Sequence, residues 1–216
     1  QVLETAKENA SALPCTISSF IAASEGTGSS VLIPMINIED ETLSVQGAAL
    51  FVDYAFTDTI SPDLLTSALF VLGDAKNTVI SLKTENENLY LKTDKQKIAF
   101  KTEIGEFGLH FIMKTDISLS LTGRSDISRR NIDEEAVSKT AEKYIKRKME
   151  QIMRFAVQKR CDFINLAARS INTDEKLSKA YHQNWAAALA NASFEIEVHC
   201  NTKISGVITQ PEEPEE

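Results

Sequence analysis

Leu32-Ile33-Pro34-Met35-Ile36, followed across Glu39-Asp40-Glu41 by Leu43-Ser44-Val45-Gln46-Gly47-Ala48-Ala49-Leu50-Phe51, is the stretch that decides the fold. It reads as two strands, at about 31 to 38 and 42 to 52, joined by a polar connection of hairpin length. Pro34 has no N–H to give to a ladder, so the first strand belongs at an edge or a bulge. Upstream, Val2 to Ala10 reads as the tail of a helix stopped by Pro14, Cys15 to Ala23 as a short helix, and residues 24–30 as a loop. Downstream, Ser61-Pro62-Asp63 supplies a cap and a first-turn proline for a helix through Leu72 that Gly73 ends. These elements make a first, smaller α+β unit, residues 1–76.

Beyond it, Thr78 to Leu82, Leu89 to Lys92, Lys97 to Glu103, Gly108 to Lys114 and Asp116 to Leu121 carry period-two stretches, predicting an antiparallel sheet with one solvated face. Asp133, with Glu134 and Glu135 in the first turn, then starts a long helix. Val137, Ala141, Tyr144, Ile145, Met149, Ile152, Phe155, Ala156, Phe163, Leu166 and Ala167 recur at three-or-four spacing, forming one apolar stripe that must lie across the sheet. A single helix of that length is unusual in a globular domain, so a bend or break is expected near Arg160. A second helix holds Tyr181, Trp185 and Leu189. Phe194 to Cys200 alternates as a strand that joins the earlier sheet, and residues 204–208 extend it. The second unit is thus α+β as well, residues 77–209, and the proline-containing acidic end, 210–216, is expected to be disordered.

Composition excludes several functions. A chain of 216 residues, 43% hydrophobic and 25% charged, buries a real core. A net charge of -8 argues against a nucleic-acid binder, which leans on clustered Lys and Arg. No apolar run approaches the roughly 20 residues that span a bilayer, and no signal sequence opens the chain. A start at Gln1 is read as a fragment of a longer protein, with any membrane anchor upstream. Cys15, Cys161 and Cys200 lack zinc spacing and read as free thiols, one disulfide staying open in an oxidising compartment.

Catalytic and ligand signals are weak. His110, His182 and His199 sit on separate elements, and a triad of His182, a serine and Asp162 has no nucleophile elbow to support it. Gly26-Thr27-Gly28 lacks the Gly-Lys-Ser/Thr ending of a phosphate loop. Lys143, Lys146, Arg147 and Lys148, with Arg154, Lys159 and Arg160, offer a face for an anionic membrane, but interspersed Glu142 and Glu150 favour a solvated helix face. No cofactor is expected.

Several short words occur here in a family's order. Thr16-Ile17-Ser18-Ser19-Phe20, the Pro34 strand, the Gly47 to Phe51 strand and the helix into Gly73 come first. Val157-Gln158-Lys159-Arg160-Cys161-Asp162-Phe163-Ile164, Asn184-Trp185 and a last strand with Gly206 follow. In this the chain resembles the Ger(x)C lipoproteins, the C subunits of spore germinant receptors. It departs in having Asn165-Leu166-Ala167 where the family commonly has glycines, and Ala48 for the usual threonine. The resemblance implies separate α+β domains and no enzymatic activity. It further implies a lipid-anchored place on the outer face of the spore inner membrane and action through assembly with the membrane-embedded A and B subunits. The matched positions Pro34, Gly47, Phe51, Gln158, Asp162, Trp185 and Gly206 are read as structural, Gly47 for backbone freedom, Pro34 for an edge and Trp185 for packing. Alternatives are an unrelated extracytoplasmic ligand-binding lipoprotein, which needs a concave apolar pocket, and a hydrolase, which needs His182 or His110 beside a nucleophile and an orienting carboxylate.

Overall fold

Alternation in the opening stretch produces the first sheet. β1 (Ser30–Glu39) and β2 (Thr42–Val52) pair antiparallel, and β3 (Ala55–Ile60) adds to β2, so that β1 with its Pro34 lies at an edge. The computed structural model describes residues 20–21, 30–39, 42–84, 87–106, 108–125, 132–171, 174–181 and 184–204. Expectations for residues 2–19, 22–29, 40–41, His182, 205–208 and the acidic end lie outside the described residues. β3 is not foreseen from sequence. Its two-residue turn, Asp53-Tyr54, has positive φ at both positions (47° and 64°), the geometry that twists a hairpin correctly but that Asn-Gly usually announces.

α1 (Pro62–Leu72) follows, capped by the Ser61 hydroxyl accepting from Leu64 N and closed by Gly73 in the left-handed region at φ 86°. The second sheet has the order β4 (Val79–Lys83), β5 (Asn88–Gly105), β6 (Gly108–Arg124), β7 (Ser193–Lys203). β5 and β6 form one long hairpin where sequence suggests four shorter segments. The polar run at Thr93 to Gln96 is a β-bulge, since Thr93 faces Leu119 and Lys95 faces Ser118, leaving Asp94 as the extra residue. β4, β5 and β6 are antiparallel, whereas β7 runs parallel to β6, because four helices carry the chain back between them. The sheet is therefore mixed.

α2 (Glu134–Lys159) carries the expected stripe, with Val137, Ala141, Ile145, Met149, Ile152, Met153 and Ala156 buried. Asp133 caps its start, and Arg160 ends it in the left-handed region at φ 55°, so the helix breaks there and does not run on through Phe163. α3 (Leu166–Ile171) is short, and the single helix expected around Tyr181 and Trp185 is two, α4 (Glu175–Tyr181) and α5 (Trp185–Ala190). Asn184, at φ -136° and ψ 39°, stands outside helical geometry at the head of α5.

Helix and sheet are matched along the open edge of β7. Glu134, Ser138 and Glu142 accept from the backbone N–H groups of Ile204, Thr202 and Cys200 at 2.9, 3.2 and 3.0 Å. Four residues of helix rise about 6 Å and two residues of strand about 6.6 Å, so the two spacings keep step and the edge is covered.

One contiguous core runs from Leu32, Ala48 and Leu50 through Leu69 and Phe70 to Phe111, Ile145 and Ile196. Polar ties reinforce it, since the Gln96 side chain donates to Phe70 O at 2.7 Å and accepts from Ala75 N at 3.3 Å. Both sheets are expected to melt in a single transition, with near-UV and far-UV circular dichroism superimposing. Two separated transitions would contradict a shared core.

Candidate functional site

Asp162 stands where the chain leaves α2, and several elements converge on it. Arg160 turns the backbone, and Asp162 follows with only 5% of its surface exposed. Its Oδ1 accepts from Leu166 N at 2.7 Å and its Oδ2 from Ala167 N at 2.6 Å, satisfying the free N–H groups at the start of α3. Its own N–H donates to the Ser30 hydroxyl of β1 at 3.1 Å. Arg169 on α3 donates to Val71 O of α1 at 2.9 Å and lies 4.2 Å over the Phe100 ring of β5, with its charge acting on Asp162. The Trp185 indole, 2% exposed, packs 6.3 Å from Phe111, and its buried N–H favours the charged form of Asp162 without closing a hydrogen bond. Both sheets and four helices thus meet around one carboxyl group.

Burial is the dominant influence on that group. It pushes the Asp162 pKa up from 3.8 to about 6, against the two backbone N–H bonds, Trp185 and Arg169, which favour the carboxylate. Because the folded value lies above the unfolded one, the native state holds the proton more tightly. The resulting stability is complete below about pH 4, fades as pH rises to 6, and is gone above it. Relative to Asp162→Asn, which does not titrate, the native chain is expected to gain about 2 kcal/mol between pH 7 and pH 4. Urea unfolding of both proteins across that range checks this, and a pH-independent difference would contradict it.

The other matched residues lie in three places. Gly47, at φ 107°, sits in a bulge of β2, where Gln46 and Gly47 oppose the single residue Met35. A Cβ there would fall 2.0 Å from the Ile60 carbonyl oxygen, at the junction of β3 and α1. Pro34 flanks the same bulge on edge strand β1. Phe51 meets Phe20 and Phe56 edge-on at 5.9 and 6.0 Å. Gln158 is exposed, at the end of a cleft beside α2. The structure therefore brings Asp162 and Trp185 together and keeps Gly47 with Pro34, while Gly206 lies outside the described residues. Ser30, Gln96 and Arg169, which tie the parts together, carry no signal in the sequence, since each is a common polar residue in an ordinary context.

Catalytic arrangements do not assemble from these parts. Asp162 is bound to backbone, and His182 lies outside the described residues. His110 Nδ1 does meet Ser193 Oγ at 2.8 Å, and Glu103 lies opposite His110 in register. Yet the Glu103 carboxylate is held by Lys101 at 2.6 Å, and the row lies at the surface of the sheet. It has the residue types of a triad without the arrangement. Among the described residues no three His, Cys, Asp or Glu side chains group to hold a metal, Cys161 and Cys200 are free thiols, and no helix is long and apolar enough to cross a membrane.

The fold and this junction define an α+β protein with one three-stranded and one mixed four-stranded sheet, closed by a long helix. The model of the family described as spore germination B3/GerAC like, C-terminal, matches residues 46–207, and the chain belongs to that family. Among solved structures it is similar to the crystal structure of the GerBC protein, with a TM-score of 0.78 and 16% sequence identity. The match covers 88% of this chain and 61% of the GerBC chain, and at that identity it speaks for the fold. No curated protein matches the chain.

Proposed function

We propose that this chain is the ectodomain portion of a spore germinant-receptor C subunit, which acts by assembling with the membrane-embedded A and B subunits and makes or breaks no bond itself. The observation that carries this reading is the family match across residues 46–207. In this reading the parent protein is held on the outer face of the spore inner membrane by a lipid upstream of the described chain. Pro34, Gly47, Phe51, Asp162 and Trp185 are framework residues, and residues 1–76 and 77–209 are two units sharing a core. A partner-binding role needs rigid presentation of a surface, which the Asp162 junction supplies by fixing both sheets to α2.

Removing the gene from the parent spore-former is the test in the organism. Germination triggered by at least one nutrient is expected to be lost or greatly slowed, with restoration by the intact gene. Unchanged responses to every nutrient the spores normally answer would overturn the reading. A ligand-binding lipoprotein is less well supported, because the cleft beside α2 is rimmed by guanidinium and amide groups, where a solute site would be chiefly apolar.

A further inference from the structure

The two faces of α2 differ in charge. Glu134 and Glu142 turn toward β7, where they accept from backbone N–H groups, and Glu135 pairs with Lys139 in the first turns. Only Glu150 remains among the helix carboxylates for the outer stripe. Lys148 pairs with Asp63 and Lys159 with Asp58, whereas Lys143, Lys146 and Arg147 have no ion pair among the described residues. A chain of net charge -8 therefore presents a locally basic face. Glu142, which in the sequence alone dilutes this face, points away from it.

A cleft of about 470 Å³ opens on that face between α1 and α2. Its apolar wall is Leu64 and Phe155, each half-buried. Arg147 and Arg154 line it seven residues apart, with Glu150 3.3 Å from Arg154 and the amides of Gln151 and Gln158 beside them. Seven residues of helix rise about 10 Å. In a polyproline II chain, residues three apart lie on one face about 9 Å apart. Guanidinium groups also suit carboxylates better than ammonium groups do, through paired hydrogen bonds.

We propose that this cleft binds an extended acidic segment of a partner protein, with two carboxylates three residues apart on Arg147 and Arg154 and an apolar side chain between them against Leu64 and Phe155. Concavity and an apolar wall fit a polypeptide better than a flat layer of lipid headgroups. The negative charge of the whole molecule repels anions in general, so such a segment binds only through this local match. The inference goes beyond the receptor reading and is tested on the isolated chain, so either can fail without the other.

The probe is a fluorescein-labelled Gly-Glu-Pro-Leu-Glu-Gly peptide, followed by anisotropy at low salt. Saturable binding with a Kd of about 0.1 to 1 mM is expected. Arg147→Glu with Arg154→Glu should weaken it at least about tenfold. Lys95→Glu with Lys97→Glu, the same change of charge on β5, should leave it within about twofold. Circular dichroism establishes that each variant is folded. No saturable binding below about 5 mM, or equal loss in both double variants, overturns the proposal. Binding to phosphatidylglycerol vesicles that needs Arg147 and Arg154, with none to the peptide, also overturns it and makes the face a lipid contact.

Discussion

Gly47→Ala is expected to destabilise the chain by at least about 3 kcal/mol, and at 37 °C to leave much of it unfolded. Two separate effects add. The backbone at φ 107° is strained for any residue with a Cβ, and that Cβ would be driven to 2.0 Å from the Ile60 carbonyl oxygen. The obstacle is backbone at the point where β3 passes into α1, so no side-chain rotation relieves it. Relief requires moving β2 away from β3, which disturbs buried Ala48 and Leu50 on either side of the strand pairing. Urea unfolding followed by circular dichroism measures the loss. A change below about 1 kcal/mol would mean that the bulge relaxes freely and that Gly47 does not fix the junction.

Asp162→Ala is expected to remove about 2 to 4 kcal/mol at pH 5. It leaves the N–H groups of Leu166 and Ala167 without acceptors in a buried place. Loss of the buried carboxyl also relieves its own desolvation, which is why the cost is smaller near pH 7, where the group is charged. Asp162→Asn keeps one acceptor oxygen, so at pH 5 the order of stability should be wild type, then Asn, then Ala. The readout that separates a local cap from a junction is hydrogen exchange. Protection should fall in α3 and also at Ser30 and Val71, which the same network reaches. Loss confined to α3 would reduce Asp162 to an ordinary helix cap.

Local chemistry explains which parts of this fold are legible in the sequence. Ser61, Pro62 and Gly73 announce both ends of α1 because each acts on backbone groups within a few residues. The stripe from Val137 to Ala156 is equally plain, since one face of a long helix repeats its period over about five turns. β3 escapes notice because its turn is Asp53-Tyr54, and Phe56 is 60% exposed, so neither turn residues nor an apolar rhythm mark it. The break at Asn184 and the union of β5 with its bulge are likewise set by tertiary packing.

The matched residues show the same limit. Asp162 and Trp185 stand out in the sequence through resemblance, but their meeting depends on folding across 22 intervening positions. Ser30 and Arg169 cannot be found without coordinates, because a serine hydroxyl and a guanidinium become ties only when distant backbone groups reach them. The direction of the α2 carboxylates is hidden for a related reason. Glu134 and Glu142 look like solvated helix charges until β7 is laid beside them with its unpaired N–H groups.

Assembly with membrane subunits is the central claim, and a pull-down tests it most directly. The full-length parent protein serves as bait in detergent-solubilised spore membranes, with mass spectrometry of what is retained. The account predicts recovery of an A-type subunit and a permease-like B-type subunit, and loss of both when the bait carries the unfolding Gly47→Ala change. Recovery of neither by a folded, abundant wild-type bait would contradict it.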